Sequence, residues 1–179
     1  MMNKPAGYVC SAVSDSHHTV YELLSPELQN LVQNAKRGNR LHTVGRLDCD
    51  TSGLLLFTTD GNFSHKLTAP ESNITKTYIA ELSQPGTQDY TTRAASSLLL
   101  PSEKKAPEQL AAPAELQPLN KALTLWRITV TEGKFHEVRR IFRALGNEVI
   151  NLKRISIGSY QLPETLASGQ WQYIELLLA

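Results

Sequence analysis

The pattern of hydrophobic and polar positions along the chain predicts short strands and a few helices. Residues 53–59 form an apolar run that ends in an Asp-Gly turn, and residues 123–131 form a clearer strand pattern. Residues 135–145 give the strongest helix pattern, which stops at Gly146. The apolar stripe of this helix comprises Phe135, Val138, Ile141, Phe142 and Leu145.

Weaker patterns complete the outline of the fold. They predict strands at residues 7–12, 76–82, 148–152 and 171–178. They also predict helices at residues 18–24, 62–69 and 87–99, the first ending near Pro26 and the last capped by Thr87. The proline-punctuated residues 101–118 predict a long loop or flexible joint between two lobes. Because strands and helices do not alternate regularly, an α+β class with a mainly antiparallel sheet is expected.

The distribution of charge says more than its total. The net charge is +1 over 179 residues, which is weak support for a nucleic-acid partner. Residues 134–154 nevertheless hold six Lys and Arg against two Glu. A second basic cluster comprises Lys36, Arg37, Arg40 and Arg46. These two stretches are the candidate contacts for a nucleic acid.

Several classes of protein are excluded by what the sequence lacks. Cys10 and Cys49 have no CxxC or CxxH partner and the five histidines lack ligand spacing, so no metal site is expected. No nucleophile elbow, P-loop or dinucleotide-binding glycine pattern is present. The first residues lack the apolar run of a signal peptide, and no window approaches the roughly 18 apolar residues of a membrane span. A soluble, cytoplasmic protein is expected.

The densest set of reactive side chains lies at residues 44–60, VGRLDCDTSGLLLFTTD. Asp48 follows Leu47 and precedes an apolar strand, so it is expected at the edge of the core. There a carboxylate stays ionised only when it is paired or hydrogen-bonded, and a nearby Arg would keep its pKa low, as a nucleophile requires. The alternative is an Asp that only caps the turn through Thr51 and Ser52.

Two further segments carry candidate functional groups. Arg139, in residues 132–140 (EGKFHEVRR), is placed one turn into a helix, where it could reach a carboxylate or a phosphate. The alternative there is a solvated basic helix face. Tyr78 lies in a predicted strand beside Lys76, and its ring could stack on a base or simply pack in the core with its hydroxyl at the surface.

Four segments together resemble the RsuA-type rRNA pseudouridine synthases. They are NKPAGYVCS at residues 3–11, GRLDCDTSGLLLFTTDG at residues 45–61, KTY at residues 76–78 and EGKFHEVRR at residues 132–140, in the order seen in that family. The GRLDxxTSGLLL segment is specific, and the matches span nearly the whole chain.

The resemblance implies a fold and a reaction. The expected fold is the α+β pseudouridine synthase fold, a mixed and mostly antiparallel sheet in two halves with a central RNA-binding cleft. Residues 1–179 would form one catalytic domain without the small RNA-binding module that such enzymes usually carry ahead of the NKPxG motif. A uridine in RNA would be cut at its glycosidic bond and rejoined through carbon 5 of the uracil, with no cofactor and no metal.

The resemblance also assigns residues to roles. Asp48 is the catalytic carboxylate, Tyr78 packs against the target base and assists proton transfer, and Arg139 pairs with Asp48. The expected RNA contacts are Arg46, Lys76, His136, Arg140 and Arg143. The carboxylate could attack the anomeric carbon, attack carbon 6 of the base or remove the ribose 2′ proton, and the sequence does not choose among these routes.

The details of the motifs favour 16S small-subunit rRNA as the substrate. They include GYVCS at residues 7–11, SHKLTAP at residues 64–70, His136, and FRALGNEV at residues 142–149. The expected partner is ribosomal RNA or a ribosome-assembly particle, the expected state is a monomer, and no membrane is involved. The alternatives are the same reaction on 23S rRNA, a non-catalytic ribosome-assembly protein on the same fold, and an unrelated hydrolase that uses Asp48 and Asp50 as a carboxylate pair.

Overall fold

The computed structural model describes residues 1–177, which divide into two compact units. The first unit comprises Met1–Ser72 together with the described residues from Ser156 onward, and the second comprises Asn73–Ile155. The sequence pattern places a joint between lobes at residues 101–118, and this expectation is wrong. That segment lies wholly inside the second unit, and the chain passes between the units near residues 72 and 155.

The elements are short, as the hydrophobic pattern predicts. The strands are β1 (Met2–Lys4), β2 (Tyr8–Val9), β3 (His18–Thr19), β4 (His42–Thr43), β5 (Thr51–Leu55), β6 (Phe57–Thr58), β7 (Lys76–Leu82), β8 (Leu99–Leu100), β9 (Gln109–Leu110), β10 (Glu115–Pro118), β11 (Leu125–Val130), β12 (Val149–Ile157) and β13 (Tyr160–Gln161). The helices are α1 (Pro26–Gln33), α2 (Gly61–Thr68), α3 (Asp89–Ala94) and α4 (Glu137–Ala144), with 3₁₀ turns at Val20–Leu23 and Pro70–Ser72.

The first unit is organised around the antiparallel pair β1–β5, in which Lys4 lies opposite Gly53. Leu54 and Leu55 on β5 have no exposed surface, so the continuous apolar run read from the sequence is a strand buried on both faces. The remaining pairs in this unit are β2 with β3, β4 with β6, and β13 with the end of β12. Of the pairs named here, only β2 with β3 is parallel.

The second unit carries the order β12-β7-β11-β10, with β7–β11 and β11–β10 antiparallel. On β11 the side chains of Trp126, Ile128 and Val130 are buried, in strict alternation with more exposed neighbours. The Trp126 indole N–H donates to the Leu123 carbonyl at 2.7 Å, so this buried ring keeps its hydrogen bond. The expected α+β class with mainly antiparallel pairing is confirmed.

Helix α4 packs its apolar face into the core of the second unit. Val138, Ile141, Phe142 and Leu145 are buried there, as the helical spacing predicts. Phe135 departs from the predicted stripe because the helix begins only at Glu137. Its ring is 38% exposed and stacks on the His136 ring with centroids 3.9 Å apart.

Two helix boundaries differ from the sequence expectation because of capping. The helix predicted at residues 18–24 is a short strand followed by a 3₁₀ turn. Pro26, read as a stop signal, instead occupies the first turn of α1, where its missing N–H costs nothing. The Ser25 side chain accepts from the Leu28 N–H at the start of this helix.

Two other elements are shorter than predicted. The helix expected at residues 87–99 is confined to α3, with Gln88 rather than Thr87 at its N-cap. The strand expected at residues 171–178 is wrong over its described part, since only Trp171 forms a bridge, to Met2. Asn3 binds the turn before Trp171 through its own backbone, to Gln170 and Gly169, and these bonds replace a regular ladder. Leu178 lies outside the described residues.

Candidate active site

The Asp48 loop links β4 to β5 at the edge of the first unit. Asp48 is half-buried between the buried Leu47 and the exposed Asp50, as the sequence predicts for a carboxylate at the edge of the core. The Asp48 carbonyl accepts the Thr51 N–H at 3.1 Å, which closes the turn into β5. The loop therefore holds Asp48 directly before a buried strand.

The ammonium group of Lys4 lies underneath this loop. Lys4 has no exposed surface, and its Nζ donates to the carbonyls of Thr51 at 2.7 Å, Pro5 at 3.0 Å, Asp48 at 3.1 Å and Cys49 at 3.3 Å. Burial lowers the pKa of Lys4, and nearby acidic groups oppose the shift. Four carbonyl dipoles replace the water that the ammonium lost, and in return the ammonium fixes the backbone from Asp48 to Thr51.

Two more contacts tie the N-terminal segment to the same loop. The Cys10 thiol accepts the Leu47 N–H at 3.4 Å and lies 3.5 Å from the Leu47 carbonyl. The Gly7 N–H donates to the Cys49 carbonyl at 2.7 Å. Sequence reasoning did not assign Lys4 or Cys10 a role. The joint presence of the NKPxG and GRLD motifs could have suggested that Lys4 binds the Asp48 loop. A lysine that is buried beside a loop needs several hydrogen-bond acceptors, and loop carbonyls can supply them.

The second unit carries Tyr78 and Lys76 on β7. Tyr78 lies opposite Ile128 on β11 and packs half-buried against the core. The Lys76 ammonium donates to the Ile74 carbonyl at 3.0 Å. Burial lowers the pKa of Lys76, and the charge of Arg154 lowers it further, while Glu137 opposes. Lys76 is therefore a half-buried lysine with an internal partner, less available to RNA than a surface lysine.

Helix α4 carries two consecutive arginines with different surroundings. Arg139 is half-buried and donates from Nη1 to the Val149 carbonyl at 3.0 Å. Arg140 has no exposed surface and donates to the carbonyls of Pro101, Phe135 and Pro107 at 2.9, 3.3 and 2.6 Å. The prediction that Arg140 contacts RNA is therefore corrected. Its buried guanidinium instead binds the proline-rich segment to α4 through hydrogen bonds.

His136 and Arg143 share an acidic partner. The His136 Nδ1 lies 3.0 Å from Glu103 Oε1, and Arg143 reaches Glu103 at 3.4 Å and Glu148 at 3.0 Å. Both side chains remain partly exposed, so they stay candidates for RNA contact, but each already has a carboxylate partner. Of the basic residues in the stretch 134–154, Lys153 is the most exposed.

The structure places the proposed site residues in both units. Asp48 and Arg46 belong to the first unit, and Arg46 is exposed. Tyr78, Lys76, His136, Arg139, Arg140 and Arg143 belong to the second. The pairing of Asp48 with Arg139, which would join residues of different units, stays a prediction.

Within residues 1–177, no three His, Cys, Asp or Glu side chains are grouped so that they could hold a metal ion. Over the same residues, every helix is too short or too polar to cross a bilayer.

Comparisons with known proteins point in one direction. The family described as RNA pseudouridylate synthase matches residues 1–144. The chain is 38% identical over 172 residues to the ribosomal small subunit pseudouridine synthases A of Salmonella typhimurium and Escherichia coli, covering 96% of this chain and 68% of each relative. A crystal structure of a pseudouridylate synthase superposes with a TM-score of 0.83 at 37% identity, covering 97% of this chain and 68% of that one. The expected fold is confirmed.

Replacement of Lys4 by Met tests the Lys4 contacts. Met has a similar length but no donor, so the carbonyls of Asp48, Cys49 and Thr51 would each lose the ammonium donor, and those of Asp48 and Cys49 would keep only their backbone N–H partners. We expect Lys4→Met to lower the free energy of unfolding by about 2–4 kcal/mol. Urea denaturation measures this loss, and the exposed Lys66→Met serves as the matched control. A loss no larger than that of the control would contradict the interpretation.

Proposed function

The chain belongs to the RNA pseudouridylate synthase family, and we propose that it converts one uridine of 16S small-subunit ribosomal RNA to pseudouridine. The observation that carries the proposal is the half-buried Asp48, held on a loop that Lys4 fixes from below. The relatives' names specify the small ribosomal subunit, which favours that RNA over the large-subunit alternative.

The proposed reaction is an isomerisation. The bond between N1 of uracil and C1′ of ribose breaks, the uracil turns in the site, and carbon 5 bonds to C1′. Carbon 5 then loses its proton and N1 gains one, so atoms and electrons balance without an oxidant or a reductant. The protein has to hold a carboxylate at the reacting carbons and keep water away from the cleaved intermediate.

We assign the central role to Asp48. Its carboxylate would act at the anomeric carbon, at carbon 6 of the base or on the ribose 2′ proton. Each of these routes requires an ionised group in a fixed position. The Lys4 ammonium helps to fix that position through the carbonyls of Asp48 and Cys49.

Tyr78 and Arg139 are proposed as its partners. Tyr78 lies on β7, and its half-buried ring packs against the core of the second unit. A ring held in this way suits stacking against a flipped base. Arg139 offers a guanidinium already oriented by the Val149 carbonyl, with a planar fork that suits a carboxylate.

The RNA path is proposed to run over the basic cluster of the first unit. The side chains of Lys36, Arg37, Arg40 and Arg46 are all exposed. The basic stretch of the second unit is less available, because Arg140 is buried and Arg143 is paired. Phosphate contacts from the exposed cluster would position the RNA, while the site itself would take the unstacked uridine.

The setting of the reaction follows from the substrate. We propose that the protein acts as a monomer in the cytoplasm, without a membrane partner. Its partner there would be ribosomal RNA or a ribosome-assembly particle that presents the target uridine unstacked.

The function itself is tested by mapping pseudouridines in a strain that lacks this protein. We expect one pseudouridine to be missing from 16S rRNA and to return when the gene is restored. A loss confined to 23S rRNA would favour the large-subunit alternative. A non-catalytic role would be favoured by two results together. The pseudouridine map of both RNAs would be unchanged, and the Asp48→Asn protein would support ribosome assembly as well as the unaltered protein does.

The role of Asp48 is tested by Asp48→Asn. The amide keeps the size of the side chain but cannot act as a nucleophile or base, so we expect the rate to fall by several orders of magnitude, on the order of 10⁴-fold or more. Tritium release from rRNA labelled at carbon 5 of uridine measures the rate. The matched control is Asp50→Asn in the same loop, which should retain activity. Comparable losses in both variants would favour the carboxylate-pair hydrolase alternative, and an active Asp48→Asn would refute the assignment.

The RNA path is tested by charge reversal at Arg40 and Arg143. Arg40→Glu removes a surface cation, so we expect the KM to rise about threefold to tenfold with kcat nearly unchanged, and RNA binding to weaken steeply with salt. Arg143→Glu would place a third carboxylate beside Glu103 and Glu148, so its main effect should be a lower Tm. Steady-state kinetics and thermal unfolding separate the two outcomes. A pure kcat defect in Arg40→Glu would show that the path is misplaced.

A further inference from the structure

Two carboxyl groups meet at the start of helix α4. The Glu132 carboxylate accepts the Ala112 N–H at 2.8 Å and forms an ion pair with the Lys134 ammonium. The chain then turns tightly: His136 adopts a left-handed conformation with φ +48°, and the Glu137 N–H donates to the Lys134 carbonyl at 3.1 Å. This turn brings the Glu137 side chain back towards Glu132.

Glu137 is buried, and one of its two carboxyl oxygens lacks a donor within residues 1–177. Only 6% of its surface is exposed, and among residues 1–177 no group donates a hydrogen bond to its buried Oε2. Its carboxyl group is nevertheless within hydrogen-bonding reach of the Glu132 carboxyl group. Two carboxyl groups form such a bond only when one of them holds a proton, since two carboxylates offer acceptors alone. Glu132 accepts from the Ala112 N–H and pairs with the Lys134 ammonium, whereas Glu137 accepts the Lys134 backbone N–H and has no donor on Oε2 within residues 1–177, so the proton belongs on Glu137.

The charges that face this pair come from three elements. Burial raises the pKa of Glu137 to about 7, and the neighbouring Glu132 adds to the rise, while the charge of Lys134 and a hydrogen bond from its backbone N–H lower it. Lys76 on β7 also faces Glu137, and Arg154 on β12 in turn repels Lys76. Removal from water therefore outweighs the two lysines.

We propose that Glu137 is a positioning residue whose neutral carboxyl group donates to Glu132 and so fixes the first turn of α4 and the direction of Arg139. Arg139 follows two residues later in the same turn, and the Val149 carbonyl orients its guanidinium from the other side. The inference rests on the proposed function in so far as Arg139 serves catalysis. Loss of the proton would place two carboxylates against each other and loosen the turn.

The sign of the pH dependence follows from the raised pKa. The folded protein holds the proton up to about pH 7, whereas an exposed Glu in the unfolded chain loses it near 4.5. The stabilisation is complete below the unfolded pKa, declines as the pH rises towards the folded pKa, and is absent above it. In Glu137→Gln the amide is neutral at every pH and can donate to Glu132, so this decline should vanish. The exposed Glu115→Gln on β10 is the matched control.

The first experiment is a carbon-13 NMR titration of the carboxyl groups, with the Glu137 signal assigned by its loss in Glu137→Gln. We expect a midpoint near pH 7 for Glu137. The nitrogen-15 signal of the Arg139 guanidinium should shift with the same midpoint, and that shift should be absent in Glu137→Gln. A Glu137 midpoint at the ordinary value of a glutamate would overturn the proposal. So would an Arg139 signal that ignores the Glu137 titration.

The second experiment compares kcat from about pH 6 to pH 9 in four proteins. In the unaltered protein and in Glu115→Gln we expect kcat to fall about tenfold above pH 7, because a misdirected Arg139 loses its alignment. Glu137→Gln should keep its activity across this range, and Glu137→Ala should be impaired throughout. Identical profiles for the unaltered protein and Glu137→Gln would overturn the positioning role. If no protein makes pseudouridine, the proposed function fails, and the two NMR titrations still decide whether the proton holds the turn.

Discussion

The structure of the first unit depends on one buried ammonium group. Lys4 has lost its water, and the carbonyls of Asp48, Cys49 and Thr51 accept hydrogen bonds from its ammonium instead. Because β1 pairs with β5, the lysine is delivered directly beneath the loop that precedes β5. The backbone of Asp48 is thereby held by the Lys4 ammonium and by the turn into β5.

Elements with a strong hydrophobic period could be predicted from the sequence. β7 has the predicted limits, and β11 and α4 lie within the predicted ranges, since their buried positions repeat at two or at three to four residues. α1 could not be predicted in the same way, because it buries no side chain completely and its Pro26 reads equally well as a stop or a first turn. The strands β8, β9 and β10 could not be predicted for a related reason: they are two to four residues long and prolines separate them.

The candidate site could likewise be predicted from the sequence only in part. The four motifs lead to Asp48, Tyr78 and Arg139 from the sequence alone, but they do not show what each arginine contacts. Arg139 and Arg140 are neighbours in one motif, yet the Arg140 guanidinium donates its hydrogen bonds to the Pro101 and Pro107 carbonyls. His136 in the same motif contacts Glu103. These partners come from the segment that the sequence marks as a joint. A cation bound by a distant segment and a cation in solvent give the same local pattern, so tertiary structure alone separates them.

Two buried ionisable groups in this chain are therefore accommodated in opposite ways. Lys4 faces four carbonyl oxygens, which favour its charged form even though burial lowers its pKa. Glu137 faces a second carboxyl group and receives no donor on Oε2, so its neutral form is favoured. Burial disfavours the ionised form of both side chains, and the groups at hydrogen-bonding distance decide which protonation state is more stable. Each group fixes the backbone of one motif, Lys4 by giving its protons to the Asp48 loop and Glu137 by keeping one at the start of α4.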